Sequence, residues 1–328
     1  MSAEAGTSGS APGSGARLIR FVSKNLHSIG LPIAVVLLII IFALSTDLFL
    51  TARNLRNVGL QASALATVAF GQMVVILTAG LDLSVGATVA LVSVVTALVM
   101  VEYGMPAGIL AGLLTGVAVG LVNGTLVTRF RVFPFIATLA MMSVIGGLAL
   151  KLSNGTPIAG LPAEFTLIAS TRILGLPLPL LIAALLLLAV FLFLRFTRLG
   201  RNLYAVGGNP QAARLSGINT TLVVTVAYVI SAFCAAVGSL ILSARVGSGQ
   251  PTLGGALPLE SVAAVVLGGV SLFGGRGSVI NVAFGVAFVS MLSNGLNLLN
   301  VDSYTQMMVI GGALIVAVAL DQRFALWR

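Results

Sequence analysis

The stretch RFTRLGRNLYAVGGNPQAARLSGINT, residues Arg195 to Thr220, is the longest polar interruption in the hydrophobic part of this chain. The segments on either side of it are apolar enough to lie in lipid. A basic loop held between two apolar helices is expected to face the cytoplasm. The stretch contains no acidic residue and four arginines, Arg195, Arg198, Arg201 and Arg214.

The second half of this stretch predicts a short amphipathic helix from Asn209 to Ile218. Asn209 can cap its amino end, and Pro210 suits the first helical position. The glycine pair Gly207–Gly208 should break whatever precedes it. A compact helix at this point could present a surface to a soluble partner, or the loop could be solvated and only fix the topology. The small apolar face consists of Ala212, Ala213, Leu215 and Ile218.

The composition predicts an all-α polytopic membrane protein. Of 328 residues, 58% are hydrophobic and 8% charged, and the mean hydropathy is +1.14. A soluble domain carries about a quarter charged residues, so this chain cannot solvate an ordinary surface. Its net charge of +9 comes from arginines in short loops, which the positive-inside rule explains better than nucleic-acid binding does. The single cysteine, Cys234, excludes an intrachain disulfide and a multi-cysteine metal site.

About ten apolar segments are expected, of which eight to ten are true spans. The segments that begin at Gly86 and Ser261 are short and are candidates for partial or re-entrant helices. The expected segments are 30–50, 59–80, 86–101, 104–127, 134–150, 174–194, 221–243, 261–273, 279–299 and 304–320.

The charge distribution predicts that both termini are cytoplasmic. Ten crossings with an inside amino terminus place twelve of the seventeen basic residues inside. Residues 1–28 are then a cytoplasmic tail, rich in Ser, Gly and Ala at its start and expected to be disordered. Residues 29–320 form the transmembrane domain, with its cytoplasmic loop at 195–220, and residues 321–328 form a second cytoplasmic tail.

The fourth apolar segment carries a packing signal. Glycines recur every four residues along it, and on a helix they form a narrow ribbon without side chains that another backbone can approach closely. The neighbour could be a helix of the same chain or of a second copy. The ribbon includes Gly108, Gly112, Gly116 and Gly120.

Asp82, in AGLDLSVGA, is the only charge between Arg56 and Glu102. A charge at membrane depth is expensive, so it is usually paired, solvated or functional. Asp82 or Ser84 could cap the helix that starts near Val85, or the pair could line a translocation pathway; the two roles are compatible.

A loose internal repeat supplies the other pathway candidates. Glu260 opens an apolar run that ends at LFGGRGS with Arg276, much as Asp82 lies at a glycine-rich break in the first half. Broken helices of this kind often lie at transport sites. Asn294 and Asn297, one turn apart, could bind sugar hydroxyls or simply join neighbouring helices.

Three stretches resemble the permease subunits of bacterial ATP-binding cassette (ABC) importers: GRNLYAVGGNPQAARLSGI, GLDLSVG (residues 80–86) and LESVAAVVLGGVSLFGGRGSV (residues 259–279). The resemblance runs from about Ile29 to the carboxyl terminus. It is to the ribose, galactose and xylose branch of the branched-chain amino acid/ribose permease family.

This resemblance implies a permease of the bacterial inner membrane that imports a monosaccharide-like solute. The expected partners are ABC ATPase subunits, a periplasmic or lipid-anchored substrate-binding protein, a second permease copy and membrane lipid. ATP and magnesium would be bound by the ATPase, so no cofactor is expected in this chain. The surface expected to couple to the ATPase consists of Arg201, Asn202, Gly207, Gly208, Asn209, Ala212, Ala213, Gly217 and Ile218.

No enzyme activity is expected of this chain. It has no G-x-x-x-x-G-K-[ST] phosphate loop, and His27 is its sole histidine, so neither ATP hydrolysis nor a histidine-based metal site or triad is indicated. The alternatives are an ion-coupled secondary transporter, for which Asp82 would be the ion site, and a permease for a branched-chain amino acid or nucleoside. A structural subunit of a larger membrane complex would leave the glycine-rich breaks without a purpose.

Overall fold

A computed structural model describes the backbone of residues 14–325 and the side chains of residues 30–316 and 319. Over this range the chain is mainly helical, with one antiparallel hairpin of two two-residue strands. The elements are α1 (Ser14–Ser45), α2 (Ala52–Leu77), α3 (Val85–Tyr103), α4 (Met105–Thr128), α5 (Pro134–Leu152), α6 (Ala163–Ser170), β1 (Arg172–Ile173), β2 (Leu176–Pro177), α7 (Leu178–Phe196), α8 (Arg198–Gly208), α9 (Pro210–Leu215), α10 (Thr220–Val246), α11 (Leu257–Leu267), α12 (Val279–Leu298) and α13 (Ser303–Ala325).

Within the part of the chain that the structure describes, seven helices are long and apolar enough to cross a membrane: α2, α3, α4, α5, α7, α10 and α12. Three shorter apolar helical stretches, Gly30–Ser45, Leu257–Leu267 and Ser303–Val316, account for the remaining expected segments. The prediction of an all-α membrane protein is therefore confirmed. The expected short helix at Gly86 is wrong, because α3 is 19 residues long, whereas α11 is short at 11 residues.

Helices α2 and α10 form the centre of the bundle. From Val68 to Leu77 every residue of α2 is buried, as expected for a helix that is apolar on all sides and enclosed by other helices. Tyr228 of α10 is fully buried. Helix α4 packs along α10, and α3 packs against both of them.

The glycine ribbon of α4 packs against helices of the same chain. A Cβ atom at Gly108 would lie 2.8 Å from the Thr96 carbonyl oxygen of α3, and one at Gly120 would lie 2.6 Å from the Tyr228 carbonyl oxygen of α10. Gly112 likewise faces Thr96, and Gly116 faces α10. The ribbon thus serves helix packing, as its spacing predicts, and its neighbours are α3 and α10.

Some elements of the structure are not predicted by the sequence. Helix α6 and the β1–β2 hairpin occupy what the sequence suggests is a plain loop between α5 and α7. Helix α1 begins at Ser14, within the range assigned to the amino-terminal tail. Residues 1–13 and 326–328, which contain the rest of the predicted tails, lie outside the described residues, and the predicted domain boundaries stay predictions.

Candidate functional site

The basic stretch between α7 and α10 folds into two short helices, α8 and α9, that meet at Asn209. Thr197 caps α8 by accepting the Gly200 N–H at 3.0 Å. Asn209 caps α9 by accepting the N–H groups of Gln211 and Ala212 at 3.0 and 2.9 Å, and Pro210 occupies the first turn. The predicted cap and proline are confirmed. We call residues 198–218 the elbow.

The elbow differs from the sequence expectation at the glycine pair. Gly207 and Gly208 do not break the preceding segment; they are the last two residues of α8, and Asn209 follows as its C-cap. The predicted apolar face of α9 is also wrong in two members, because Ala212 is exposed and Leu215 is 90% exposed, while Ala213 is buried.

Burial divides the residues expected to contact an ATPase into three groups. Gly207 and Ala213 are buried inside the chain, so they do not belong to an exposed docking surface. Asn202 and Ile218 are half-buried. The exposed members are Arg201, Gly208, Asn209, Ala212 and Gly217.

On the buried side of the elbow, three stretches that are distant in sequence contact one another through backbone atoms. The Gly275 N–H donates a 2.9 Å hydrogen bond to the Leu77 carbonyl oxygen at the end of α2. A Cβ atom on Gly207 would overlap that same oxygen and lie 2.6 Å from the Gly275 nitrogen. Tyr204 of α8 donates through its hydroxyl to the Gly277 carbonyl oxygen at 3.2 Å. We call the meeting of Leu77, Gly207 and Gly275 the glycine junction.

The glycine junction explains the motif LFGGRGS, to which sequence reasoning assigned only a break. Gly274 and Gly275 have positive φ angles of 82° and 72°, which glycine adopts without steric cost. A Cβ atom on Gly275 would also lie 2.8 Å from the Gly208 Cα atom. Residues 274–278 form the end of the loop that leads into α12. Their contacts therefore attach the elbow to the start of α12. The glycine content was a usable signal for close backbone approach, but the partner segments were not readable from the sequence.

Asp82 is enclosed in a polar network between helices. Its Oδ1 accepts the Ser84 N–H at 3.0 Å and the Ser84 hydroxyl at 2.6 Å, and its Oδ2 accepts the Ser231 hydroxyl of α10 at 3.1 Å. Asn123 of α4 donates to the Ser84 hydroxyl oxygen at 2.8 Å. Asp82 is 1% exposed and Ser84 fully buried. The Asp82 carboxylate thus stabilises the turn before α3 and joins it to α10. Ser84, the N-cap residue of α3, makes no side-chain capping hydrogen bond, so the capping role and the pathway role both stay predictions.

Asn294 pairs with another asparagine rather than facing a pathway. The Asn54 side-chain nitrogen donates to Asn294 Oδ1 at 2.8 Å, and the Asn294 nitrogen donates back to Asn54 Oδ1 at 2.9 Å. Both residues are buried. This reciprocal pair joins α2 to α12, so Asn294 corresponds to the structural role.

A cavity of about 510 Å³ lies away from the elbow, between α2, α10, α11, α12 and α13. Two of the predicted pathway residues, Glu260 and Asn297, line it, whereas Asp82, Ser84 and Asn294 do not. Sequence reasoning missed its other polar lining residues: Gln61, Arg245, Ser290, Ser293, Ser303 and Gln306.

One wall of this cavity includes the non-helical segment between α10 and α11. After α10 ends at Val246, the chain runs non-helically along α3 until α11 begins at Leu257. The Gln250 N–H in this segment donates to the buried Ser93 hydroxyl at 3.0 Å. The Gly254 carbonyl oxygen lies so close to α3 that a Cβ atom on Gly86 would be 2.8 Å from it. Non-helical backbone at membrane depth is tolerated only where protein or a water-filled cavity covers it.

Comparisons with known proteins agree with this architecture. Residues 54–318 match the family described as branched-chain amino acid transport system, permease component. The chain is 41% identical to the ribose import permease protein of Bacillus subtilis (strain 168), over 91% of this chain and 94% of that protein. It is 35% identical to the D-allose transport system permease protein of Escherichia coli (strain K12), over 88% and 90%.

The xylose transport system permease protein of Haemophilus influenzae (strain ATCC 51907 / DSM 11121 / KW20 / Rd) is 32% identical, over 93% of this chain and 98% of its own length. No solved structure matches the chain at a significant level.

Proposed function

Since this chain belongs to the family of branched-chain amino acid transport system permease components, we propose that it is the membrane-spanning subunit of an ABC importer for a monosaccharide. The relatives with which it shares 32–41% identity over most of its length carry ribose, allose and xylose permease names. The resemblance visible in the sequence motifs points to the same branch.

The observation that carries this proposal is the attachment of an exposed helical elbow to the ends of membrane helices. A permease driven by a separate ATPase needs a stiff surface that the motor can push. The elbow offers Gly208, Asn209 and Ala212 on its exposed side, and the glycine junction ties its buried side to α2 and to the loop before α12. A movement of the elbow would be passed to those helices through backbone contacts.

In the proposed assembly the elbow lies on the cytoplasmic side of the bacterial inner membrane, with both termini on that side. Two copies of the permease, or this chain and a similar one, span the membrane. Two ATP-binding subunits dock on the elbows, and a periplasmic or lipid-anchored substrate-binding protein docks on the opposite face. The positive-inside bias of the sequence supports this orientation.

Uptake by the chain's own host tests the proposal. Cells that lack the gene are compared with cells that carry it, using labelled ribose, allose and xylose, with valine as a non-sugar control. We expect loss of uptake of at least one sugar, restored by the wild-type chain, and an ATPase with magnesium-dependent activity that co-purifies with the tagged protein. Loss of valine uptake alone would favour the amino acid alternative. Sugar transport by the purified chain in liposomes without nucleotide would favour the secondary transporter.

A further inference from the structure

The cavity between α2, α10, α11, α12 and α13 has the size and the polar lining of a small-molecule binding site. Its volume of about 510 Å³ lies in the range of small-molecule binding sites. Six neutral polar side chains, one acid and one base line it: Gln61, Ser290, Ser293, Asn297, Ser303 and Gln306, with Glu260 and Arg245.

Ser290 provides a buried polar group without a partner. The residue is 5% exposed, and among the described residues its hydroxyl oxygen has no hydrogen-bond partner. Burial of a hydroxyl without a hydrogen bond is unfavourable, so such a group calls for a ligand or water to satisfy it. Ser290 lines the cavity, which is where that partner can be placed.

Two amides at the cavity are already oriented by hydrogen bonds, one of which joins them. The Gln306 side-chain nitrogen donates to Asn297 Oδ1 at 2.8 Å and to the Val301 carbonyl oxygen at 2.9 Å. These two bonds use both protons of the Gln306 nitrogen. The pair can still offer one donor, Asn297 Nδ2, and one acceptor, Gln306 Oε1, in a fixed relation to each other.

The start of α11 adds further polar groups. The turn Gly254–Leu257 and Glu260, in the first turn of α11, all line the cavity. The first N–H groups of a helix have no partner within the helix, and the macrodipole makes that end partly positive. Glu260 lies at this end of α11, and its carboxyl oxygens can accept hydrogen bonds from hydroxyl groups.

The cavity is also lined by apolar side chains, those of Ala64, Leu65, Leu242, Val289 and Ile310. A monosaccharide has both kinds of surface, with hydroxyl groups at its edge and C–H groups on its ring face. A site that combines neutral donors and acceptors, one acid, one base and several apolar side chains fits such a molecule.

We propose that this cavity is a monosaccharide-binding site contained within a single permease chain, in which Glu260, Ser290 and the Asn297–Gln306 pair bind the sugar hydroxyls. The proposal rests on the proposed import function. It makes the permease itself selective, in addition to any selection by a substrate-binding protein, because sites that bind a hydroxyl discriminate strongly against molecules that lack it.

Cysteine protection in membranes that contain the whole transporter tests the site. Ser293, which lines the cavity and is half-buried, is changed to cysteine in a Cys234→Ala background and labelled with a membrane-impermeant thiol reagent. We expect ribose, allose or xylose, at up to 100 mM, to slow labelling at least threefold, and valine to have no effect. Ser170→Cys, exposed at the end of α6 and outside the cavity lining, is the control whose labelling no sugar should change.

The Glu260→Gln variant links binding to transport. We expect it to abolish the protection of Ser293→Cys and to reduce sugar uptake at least tenfold, while the ATPase still co-purifies. Glu164→Gln, in α6, should leave both unchanged.

The outcomes separate the two proposals. If the wild-type chain imports no sugar, the import function is wrong. If it imports sugar normally but no sugar protects Ser293→Cys, or Glu260→Gln transports as well as wild type, only the binding site is overturned. Protection by valine instead of sugars would overturn the assignment of the ligand.

Discussion

Replacing Gly207 with alanine should damage the glycine junction, whereas the same change at the adjacent Gly208 should not. A Cβ atom on Gly207 would overlap the Leu77 carbonyl oxygen, but one on Gly208 would meet nothing within 4 Å. Both residues belong to the last turn of α8, so the helix propensity of alanine acts at both positions. The pair therefore separates the effect of the contact from the effect of the amino acid type.

The magnitude follows from three contributions. Forcing a methyl group into a packed site costs about 1–3 kcal/mol. Displacing the Leu77 carbonyl from the Gly275 N–H weakens a backbone hydrogen bond worth about 0.5–1.5 kcal/mol. Alanine regains about 0.5–1 kcal/mol in a helix relative to glycine. From the middle of these ranges, the free energy of unfolding should fall by about 2 kcal/mol for Gly207→Ala and stay equal or rise slightly for Gly208→Ala.

The assay uses the chain's one cysteine. Cys234 is buried in α10, so a thiol-reactive fluorogenic dye reports its exposure when the protein unfolds in detergent. At about 2–4 °C per kcal/mol for domains of 150–250 residues, Gly207→Ala should lower the midpoint by at least about 2 °C. Sugar uptake per folded molecule should fall at least tenfold, with Gly208→Ala close to wild type. Equal midpoints and equal uptake for the two variants would refute the role of the junction.

Three further sets of substitutions test other parts of the structure. Gly208→Trp and Ala212→Glu both change the exposed side of the elbow, and each should abolish co-purification of the ATPase with less than about 1 kcal/mol change in stability. ATPase that still co-purifies would exclude this face as the docking surface. Asn54→Leu should lower the unfolding midpoint, because it leaves Asn294 unpaired at a cost of about 1–3 kcal/mol. Adding Asn294→Leu should recover part of the lost stability. A double variant that is less stable than the single variant would contradict the pairing. Asp82→Asn should reduce protein yield, because the Ser84 and Ser231 donors lose a carboxylate acceptor. The protein that does fold should transport normally. Normal yield with lost uptake would instead support the pathway role.

The sequence predicts the helices well because each span is a long apolar run with a polar or glycine-rich end. The glycine at position 104 separates α3 from α4 as the pattern indicates, with a positive φ of 85°. The cap of α9 was also readable, since Asn209 followed by Pro210 is a local signal. Local chemistry decides these features, and so one sequence suffices to find them.

The site was less predictable, because its members depend on which helices become neighbours. Asn294 and Asn297 lie one turn apart and look alike in the sequence. In the structure the first pairs with Asn54 and the second lines the cavity. Similarly, Asp82 and Glu260 are both isolated acids near glycine-rich breaks, yet only Glu260 reaches the cavity. Ser290 carried no signal, since the lack of a partner is visible only after the helices are packed.

The glycine junction and the cavity lie at different levels of the same helices. From Leu77 at the junction to Gln61 at the cavity, α2 covers 16 residues, roughly 24 Å at 1.5 Å per residue. From Ser278, just after the junction, to Ser290 at the cavity, α12 covers 12 residues, roughly 18 Å. The elbow contacts these helices partly through backbone atoms at Gly207 and Gly275, where no side-chain rotamer change can absorb its movement. We therefore expect a small displacement of α8 to shift the Leu77 end of α2 and the loop that leads into α12, and both helices form walls of the proposed sugar site.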